Sequence, residues 1–490
     1  MKKSIFLVIA AAMITFIGCR KIEVDGEKEI IIVNSGGGGN TTTGKTIILE
    51  GRINADTTLR KENSYILKGK VYMVNNKTMT IEPGTVIKGA YSGSDVGVLV
   101  ITRGSKIMAA GSVTDPIVFT SASPNPQSGD WGGIIILGKA NINTSYNNIK
   151  GLFQVEGEID NANGDGLAGS GDAVAPTPID DDNSGILSYV RIEYAGYAFQ
   201  PDKEVNSLTM AGVGNGTKID HIQVAYAKDD AFEWFGGTVN AKYLIAYKTQ
   251  DDDFDTDNGY SGKVQFGLIV RDSMIADVSR SESFESDNNS SGSTATPKTS
   301  AVFSNITSIG PRATLTNLGN PLFLAGVQIR RNSSISIYNS VFIGWPTGIL
   351  IDATTGTPTN LNITDGSLNI KNTTIAGCNV AVAYAGTNTT NQAIVDWFAN
   401  TANKNNILTN AADARIIAPF SYTAFDPTPF GNSSLVQANP SSSNPNPVNP
   451  ADFTDAGVAD AFFTKVNFRG AIAPAGGESN WWKGWTKFNF

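Results

Sequence analysis

At 490 residues with a formal charge of −8, the chain has room for two or three average domains or one long repetitive one, and its acidity argues against nucleic acid or an anionic lipid surface as partner. Only 17% of residues are charged, 51 are glycine and 41% are apolar, which fits neither a helix-rich enzyme nor a disordered chain. The single histidine, His221, excludes a multi-histidine zinc site and leaves a Ser-His-Asp triad one candidate base.

Lys2 and Lys3 precede an uncharged, mostly apolar run over 4–18 and then Cys19, the layout of an export signal too short to span a bilayer. The local FIGC (16–19) resembles a bacterial lipoprotein box, with Phe16 where leucine is usual. That resemblance implies cleavage after 18, lipidation of Cys19 and anchoring by lipid alone. Cys378 would then have no disulfide partner. Glu23, Asp25, Glu27 and Glu29 follow at once, an acidic stretch similar to the surface-export signal of Bacteroidota lipoproteins. The expectation is an outer-membrane protein facing the cell exterior on a flexible tether over 19–45, rich in Gly, Asn and Thr.

From residue 46 onward, short β-branched runs end at Gly, Asn, Asp or Pro, as in TMTIEPGTVIKG (78–89), VLVITRGSKIMAAG (98–111) and WGGIIILGKANI (131–142). GILSYVRIEYAG (185–196) and TKIDHIQVAYA (217–227) continue the pattern. An offset of 22 aligns Ile222 with Leu244 and Phe232 with Phe254, and an offset of 33 aligns Ile337 with Ile370 and Asn339 with Asn372. A repeat of 20 to 35 residues made only of strand and turn predicts a solenoid, with β-strands about 4.8 Å apart from coil to coil. A β-sandwich array is the alternative, and strand spacings of 8 to 12 residues would favour it.

The runs TIEPGTVIKG, ITRGSKIMAAGSVTDPIVFTSA, GDWGGIIILGKA, DDAFEWFGGTVNAKYL and the terminal WWKGWTKF resemble the right-handed parallel β-helix surface lipoproteins of Bacteroidota. The resemblance implies an all-β, right-handed parallel β-helix over 46–418, with loop insertions and a C-terminal aromatic cap. Members are often uncharacterised, some lying near TonB-dependent outer-membrane transporters, so it implies fold and location more than activity. Within the helix, 151–184 reads as an acidic, Gly-rich insertion; 151–190 holds eight acids, among them Glu156, Asp165, Asp172 and Asp180, and no Lys or Arg. A Pro/Ser/Asn-rich linker over 419–453 precedes the segment 454–490, whose Trp481, Trp482, Trp485, Phe488 and Phe490 are expected to cover the last coil.

KDDAFEWFGG (228–237) returns as QDDDFDTDNG (250–259), and ESFESDN (282–288) is a third copy. Aligned, the three share acid-x-Phe-acid: Asp230/Phe232/Glu233, Asp252/Phe254/Asp255 and Glu282/Phe284/Glu285. Stacked coils would send the phenylalanines inward and Glu233, Asp255 and Glu285 outward in one column. Carboxylates about 5 Å apart repel by roughly 3 kcal/mol at an effective dielectric near 20. They must take up protons, splay, pair with bases or bind a cation. Between 228 and 287 there are 13 acids and six bases, so internal pairing is insufficient. Asp230, Glu233, Asp252, Asp253, Asp255, Asp257, Glu285 and Asp287 are therefore candidate ligands for Ca²⁺, with the insertion folding over them as an oxygen cage. The spacing is not that of an EF-hand, since Asn258 and Val264 stand where Gly and Glu are required.

Trp234, Phe235, Tyr194 and Tyr197 are candidate ligand-binding faces for a glycan. The primary expectation is a surface protein binding a ligand or partner, a glycan or an outer-membrane transporter, with no catalytic residue assigned. The alternative is a calcium-dependent polysaccharide lyase with Arg271, Arg280, Arg330 or Arg331 as base, or a hydrolase using Asp229, Asp230 and Asp251 to Asp253. A structural envelope protein is the third. His221 falls on Tyr243 at the 22-residue offset and is expected at an outward strand position, whereas Cys378 falls on Trp345 and is expected as a core thiol.

Overall fold

The computed structural model describes residues 44–200, 203–436 and 451–490, together with the backbone of strands Arg20–Glu23 and Glu29–Val33. Cys19 and the export signal lie outside the described residues, as does 437–450 of the expected linker. The two early strands pair antiparallel with each other and onto Thr46–Ile53, so paired backbone occupies part of the expected tether.

The strand runs stack in parallel into a right-handed β-helix with three faces. The offsets seen in the sequence are the registers: Ile222 pairs with Leu244, Phe232 with Phe254, Phe254 with Phe284 and Ile337 with Ile370. One face stacks Gly133–Leu137, Leu208–Ala211, Phe232–Phe235, Phe254–Asp257, Phe284–Ser286, Ala325–Ile329 and Thr347–Asp352. The other two faces are consecutive halves of single long strands, such as Gly185–Glu193, Lys218–Ala225, Asn240–Tyr247, Lys263–Val270 and Val302–Ile309.

Each of these long strands bends at one left-handed residue: Tyr189 (φ 52°), His221 (51°), Tyr243 (60°), Phe266 (64°) and Asn305 (58°). Asn339 and Asn372, both at 52°, continue the corner. Asparagine tolerates this backbone best. The rings at the other positions gain by stacking, with centroids 4.2 Å apart for Tyr189–His221, 4.4 Å for His221–Tyr243 and 5.1 Å for Tyr243–Phe266. His221 thus holds the outward corner position expected of it, with Nδ1 3.1 Å from Asp220 Oδ1.

Inside, Phe232, Phe254 and Phe284 meet edge to face at 5.5 and 5.2 Å, among isoleucine and valine columns from the other faces. Cys378 packs against this core half-buried, its thiol pushed up to about 12 chiefly by burial, which removes it as a nucleophile.

The aromatic C-terminus covers apolar surface as expected, but on the flank and not on the last coil. Trp481, Trp482, Trp485 and Phe468 lie along one outer face against Ile245, Leu268, Val270, Ile309 and Ile343. The segment runs back along the axis. Arg469 bonds Thr374 and the Lys404 carbonyl in late coils, whereas Arg191 Nη1 donates to the Trp485 carbonyl and Gln223 Nε2 to that of Lys487 in early ones. The last coil is closed instead by helix Asn391–Ala399, which buries Ile394 and Phe398 and is capped by Thr390. The start of the expected linker is folded too, since Ile416–Ala418 pairs antiparallel with Asp426–Pro429 and Leu435 packs on the flank.

Candidate functional site

Three strands of one face present the acids. Glu233, Asp255 and Glu285 are register partners pointing outward, as expected, and Gln328 continues their column. A turn earlier in each coil stand Asp230, Asp252 and Glu282. Here the first two side chains accept from the next coil's amide: Asp252 N donates to Asp230 Oδ1 at 2.9 Å and Glu282 N to Asp252 Oδ1 at 2.6 Å. Asn206 starts this file, its Oδ1 accepting from Asp230 N at 3.2 Å while its Nδ2 donates to Glu233.

The result is a pocket of about 350 Å³ lined by Asp229, Asp230, Glu233, Asp251, Asp252, Asp255, Asp257, Glu285 and Asp287, with Glu156 and Glu204 at one side and Arg280, Arg330 and Arg331 at the other. Three trios have ligand oxygens within 4.8 Å of one another: Asp229/Asp230/Asp251, Asp230/Glu233/Asp255 and Asp252/Glu282/Glu285.

Compensation is one-sided. Asp287 pairs with Arg330 Nε at 2.8 Å and Arg331 Nη1 at 2.6 Å, and Arg330 also pairs with Glu285. Among the described residues no Lys or Arg pairs with Asp229, Asp230, Glu233, Asp251, Asp252, Asp255, Asp257 or Glu282. The carboxyls respond with raised proton affinity. Burial first, then the neighbouring acids, pushes Asp229 and Glu282 up to about 8 and Asp257 up to about 7. Glu285 also reaches about 7 by burial, in spite of Arg330. Asp230, Glu233, Asp251, Asp252 and Asp255 are raised well above the usual carboxylate range by the same causes. Asp255 Oδ1 is shut from solvent with no hydrogen-bond donor.

Several expected site residues stand elsewhere. Asp253 turns inward, in the column of Ala231 and Ser283, and leaves the ligand set; its side chain is 0% exposed and forms an ion pair with Arg271 at 3.1 Å. Arg271 is equally buried, donating also to the carbonyls of Asp251 (2.7 Å) and Gln250 (3.2 Å), so it is not an available base. Trp234 also points inward, stacked on Tyr260 at 5.3 Å, and offers no face to a ligand. Tyr194 sits at another corner under Tyr226 and Phe490, and Tyr197 packs on Phe199. Phe235 alone of the four lines the pocket, tilted against Phe153 at 4.7 Å.

The insertion does not form the expected cage. Asp165 pairs with Arg52, Asp172 with Arg103, and Asp180 accepts from Asn141, while Val155, Ile159 and Ala168 cover Val98, Val100 and Ile135 of earlier coils. Only Glu156 reaches the pocket from it. Asp229, Asp251 and Glu282 join the candidate ligands instead. Glu282 was available from the acid-x-Phe-acid pattern, and Asp229 and Asp251 precede two of its copies.

A family model described as a pectate-lyase-like β-helix domain matches residues 51–416, more than half of the chain. The chain belongs to that family. No curated protein and no solved structure gives a significant match to it. The family match spans the acidic coils of the pectate-lyase-like β-helix and ends before its aromatic strap.

Proposed function

We propose that this chain is a lipid-anchored cell-surface β-helix that binds a ligand or partner, a glycan or an outer-membrane transporter, through a divalent cation held on the acidic column. The reading takes Cys19 as the lipidated residue and places the protein in the outer membrane facing outward. It is carried by one observation: Asp230, Glu233, Asp252 and Glu282 are only 7%, 7%, 5% and 2% exposed, yet none has a cationic partner among the described residues. Buried carboxylates ordinarily pair with a base or coordinate a metal. An all-oxygen set suits a hard cation, and Ca²⁺ accepts the flexible geometry that several coils would offer. The orphaned Asp255 Oδ1 fits the same ion, which would supply the missing positive charge and an open position toward the pocket.

The test is calcium titration by calorimetry on soluble protein lacking residues 1–19. Saturable binding is expected, lost in the triple variant Asp230→Asn, Glu233→Gln, Asp255→Asn. Absence of heat, with a thermal melt that is the same in calcium and in chelator, would sink the reading. A lyase is the second reading, favoured by Arg280. This arginine lines the pocket, is exposed, and has no carboxylate partner among the described residues, so its side chain is free to reach a substrate held beside the cation. Polysaccharide cleavage that needs calcium and is lost in Arg280→Ala would select it over simple binding.

A further inference from the structure

We infer that the acidic column holds two cations one coil apart, a step that rests on the cation-binding reading above. The argument comes from the repeat. Each coil delivers the same pair of acids at i and i+3: Asp230 and Glu233, then Asp252 and Asp255, then Glu282 and Glu285. A pair from one coil plus one acid of the adjoining coil makes a trio, and the structure contains this construction twice. Asp230 and Glu233 close with Asp255, and Glu282 and Glu285 close with Asp252. The two trios share no residue. Their parallel strands place them about one strand spacing, roughly 4.8 Å, apart along the axis. Oxygen-ligated metal pairs are stable at similar separations, near 3.5–4 Å, where carboxylates lie between and around the ions.

Burial supplies independent support. Asp230, Glu233, Asp252 and Glu282 are more than nine-tenths buried, two in each trio, and neither pair has a base among the described residues. One divalent ion would leave the buried pair of the other trio, Asp230/Glu233 or Asp252/Glu282, with no cationic partner among the described residues. Asp255 Oδ1, without a donor, stands in the middle coil between Glu233 and Glu285. The third trio, Asp229/Asp230/Asp251, shares Asp230 with the first, and Asp251 Oδ2 already accepts from Ser279 Oγ at 2.9 Å, so it adds no independent site. The site at Asp252/Glu282/Glu285 adjoins Arg330, whose positive charge weakens cation binding there. Mutual repulsion of the ions acts in the same direction. The two affinities should therefore differ, by about tenfold or more.

Equilibrium dialysis of the detergent-solubilised full chain, stripped with chelator and titrated with calcium chloride alone, reads the number of ions directly. Two equivalents are expected. Glu233→Gln should leave the weaker one and Glu282→Gln the tighter one, with thermal melts confirming that both variants fold. One equivalent in the parent protein overturns the pair while leaving the cation reading intact. Two equivalents that neither variant reduces, or that either variant abolishes together, overturn the assignment to separate trios. No bound calcium overturns this inference and the cation reading alike.

Discussion

Two columns of repeated residues run along this solenoid, and their fates differ. At the corner, Tyr189, His221, Tyr243 and Phe266 stack ring on ring and then give way to Asn305, Asn339 and Asn372. The rings are sealed under Trp481 and Trp485. Across the helix, Glu233, Asp255 and Glu285 recur once per coil and line an open pocket. Stacking like on like is favourable for flat rings, and for amides that can donate and accept in turn. For carboxylates it is repulsive, and here the chain meets most of that repulsion with raised proton affinity and few bases. Where compensation was needed for the fold, the protein supplies it. Asp253 has Arg271, and Asp287 has two arginines. The unpaired stretch lies where the column faces the pocket.

Exchanging the two chemistries breaks the comparison most sharply. Phe266→Asp places an unpaired charge under the strap and should cost about 4 kcal/mol or more, read as a lower denaturant midpoint. Asp255→Asn removes a carboxyl whose ionisation burial and its neighbours oppose, and should raise the thermal midpoint of calcium-free protein at alkaline pH.

The next effect is on pH. Asp229 and Glu282 titrate near 8 and Asp257 and Glu285 near 7 in the fold, all above the roughly 4 of the unfolded chain. The folded state therefore holds extra protons between about pH 4 and 8. The stability they contribute is full below pH 4 and is lost as pH rises through 8. In chelator the melting midpoint should fall by about 3 °C or more from pH 5 to pH 9, and saturating calcium should flatten that slope. A midpoint independent of pH without calcium would show the column to be ionised and solvated.

The smallest effect is expected at the corner. His221→Tyr keeps an aromatic ring between Tyr189 and Tyr243, so denaturant unfolding should change by no more than about 1 kcal/mol.

Much of this was legible because the determinants are local. The 22-, 30- and 33-residue registers could be read by aligning Phe232, Phe254 and Phe284, or Ile337 and Ile370, since stacked coils put like residues together. The inward Trp234 was legible too: it lies two residues after inward Phe232, and strand alternation sends both the same way. Other placements depended on remote partners. Asp253 turns inward to meet Arg271, 18 positions on, and the insertion's acids are taken by Arg52 and Arg103. Tyr194 is covered by Phe490 from the far end of the chain. No period or propensity in the sequence carries such pairings.

The strap also has a consequence for the order of assembly. Its last residues bond Arg191 and Gln223 across separations of 294 and 264 positions, far beyond the coil-to-coil contacts that build the solenoid. Contacts between neighbouring coils close short loops and form early, whereas a closure this long is slow. The segment that seals the aromatic corner is also made after every coil that it covers. A chain interrupted before residue 451 would thus carry a row of coils with its flank still open, a sticky intermediate until the strap is made and closes over it.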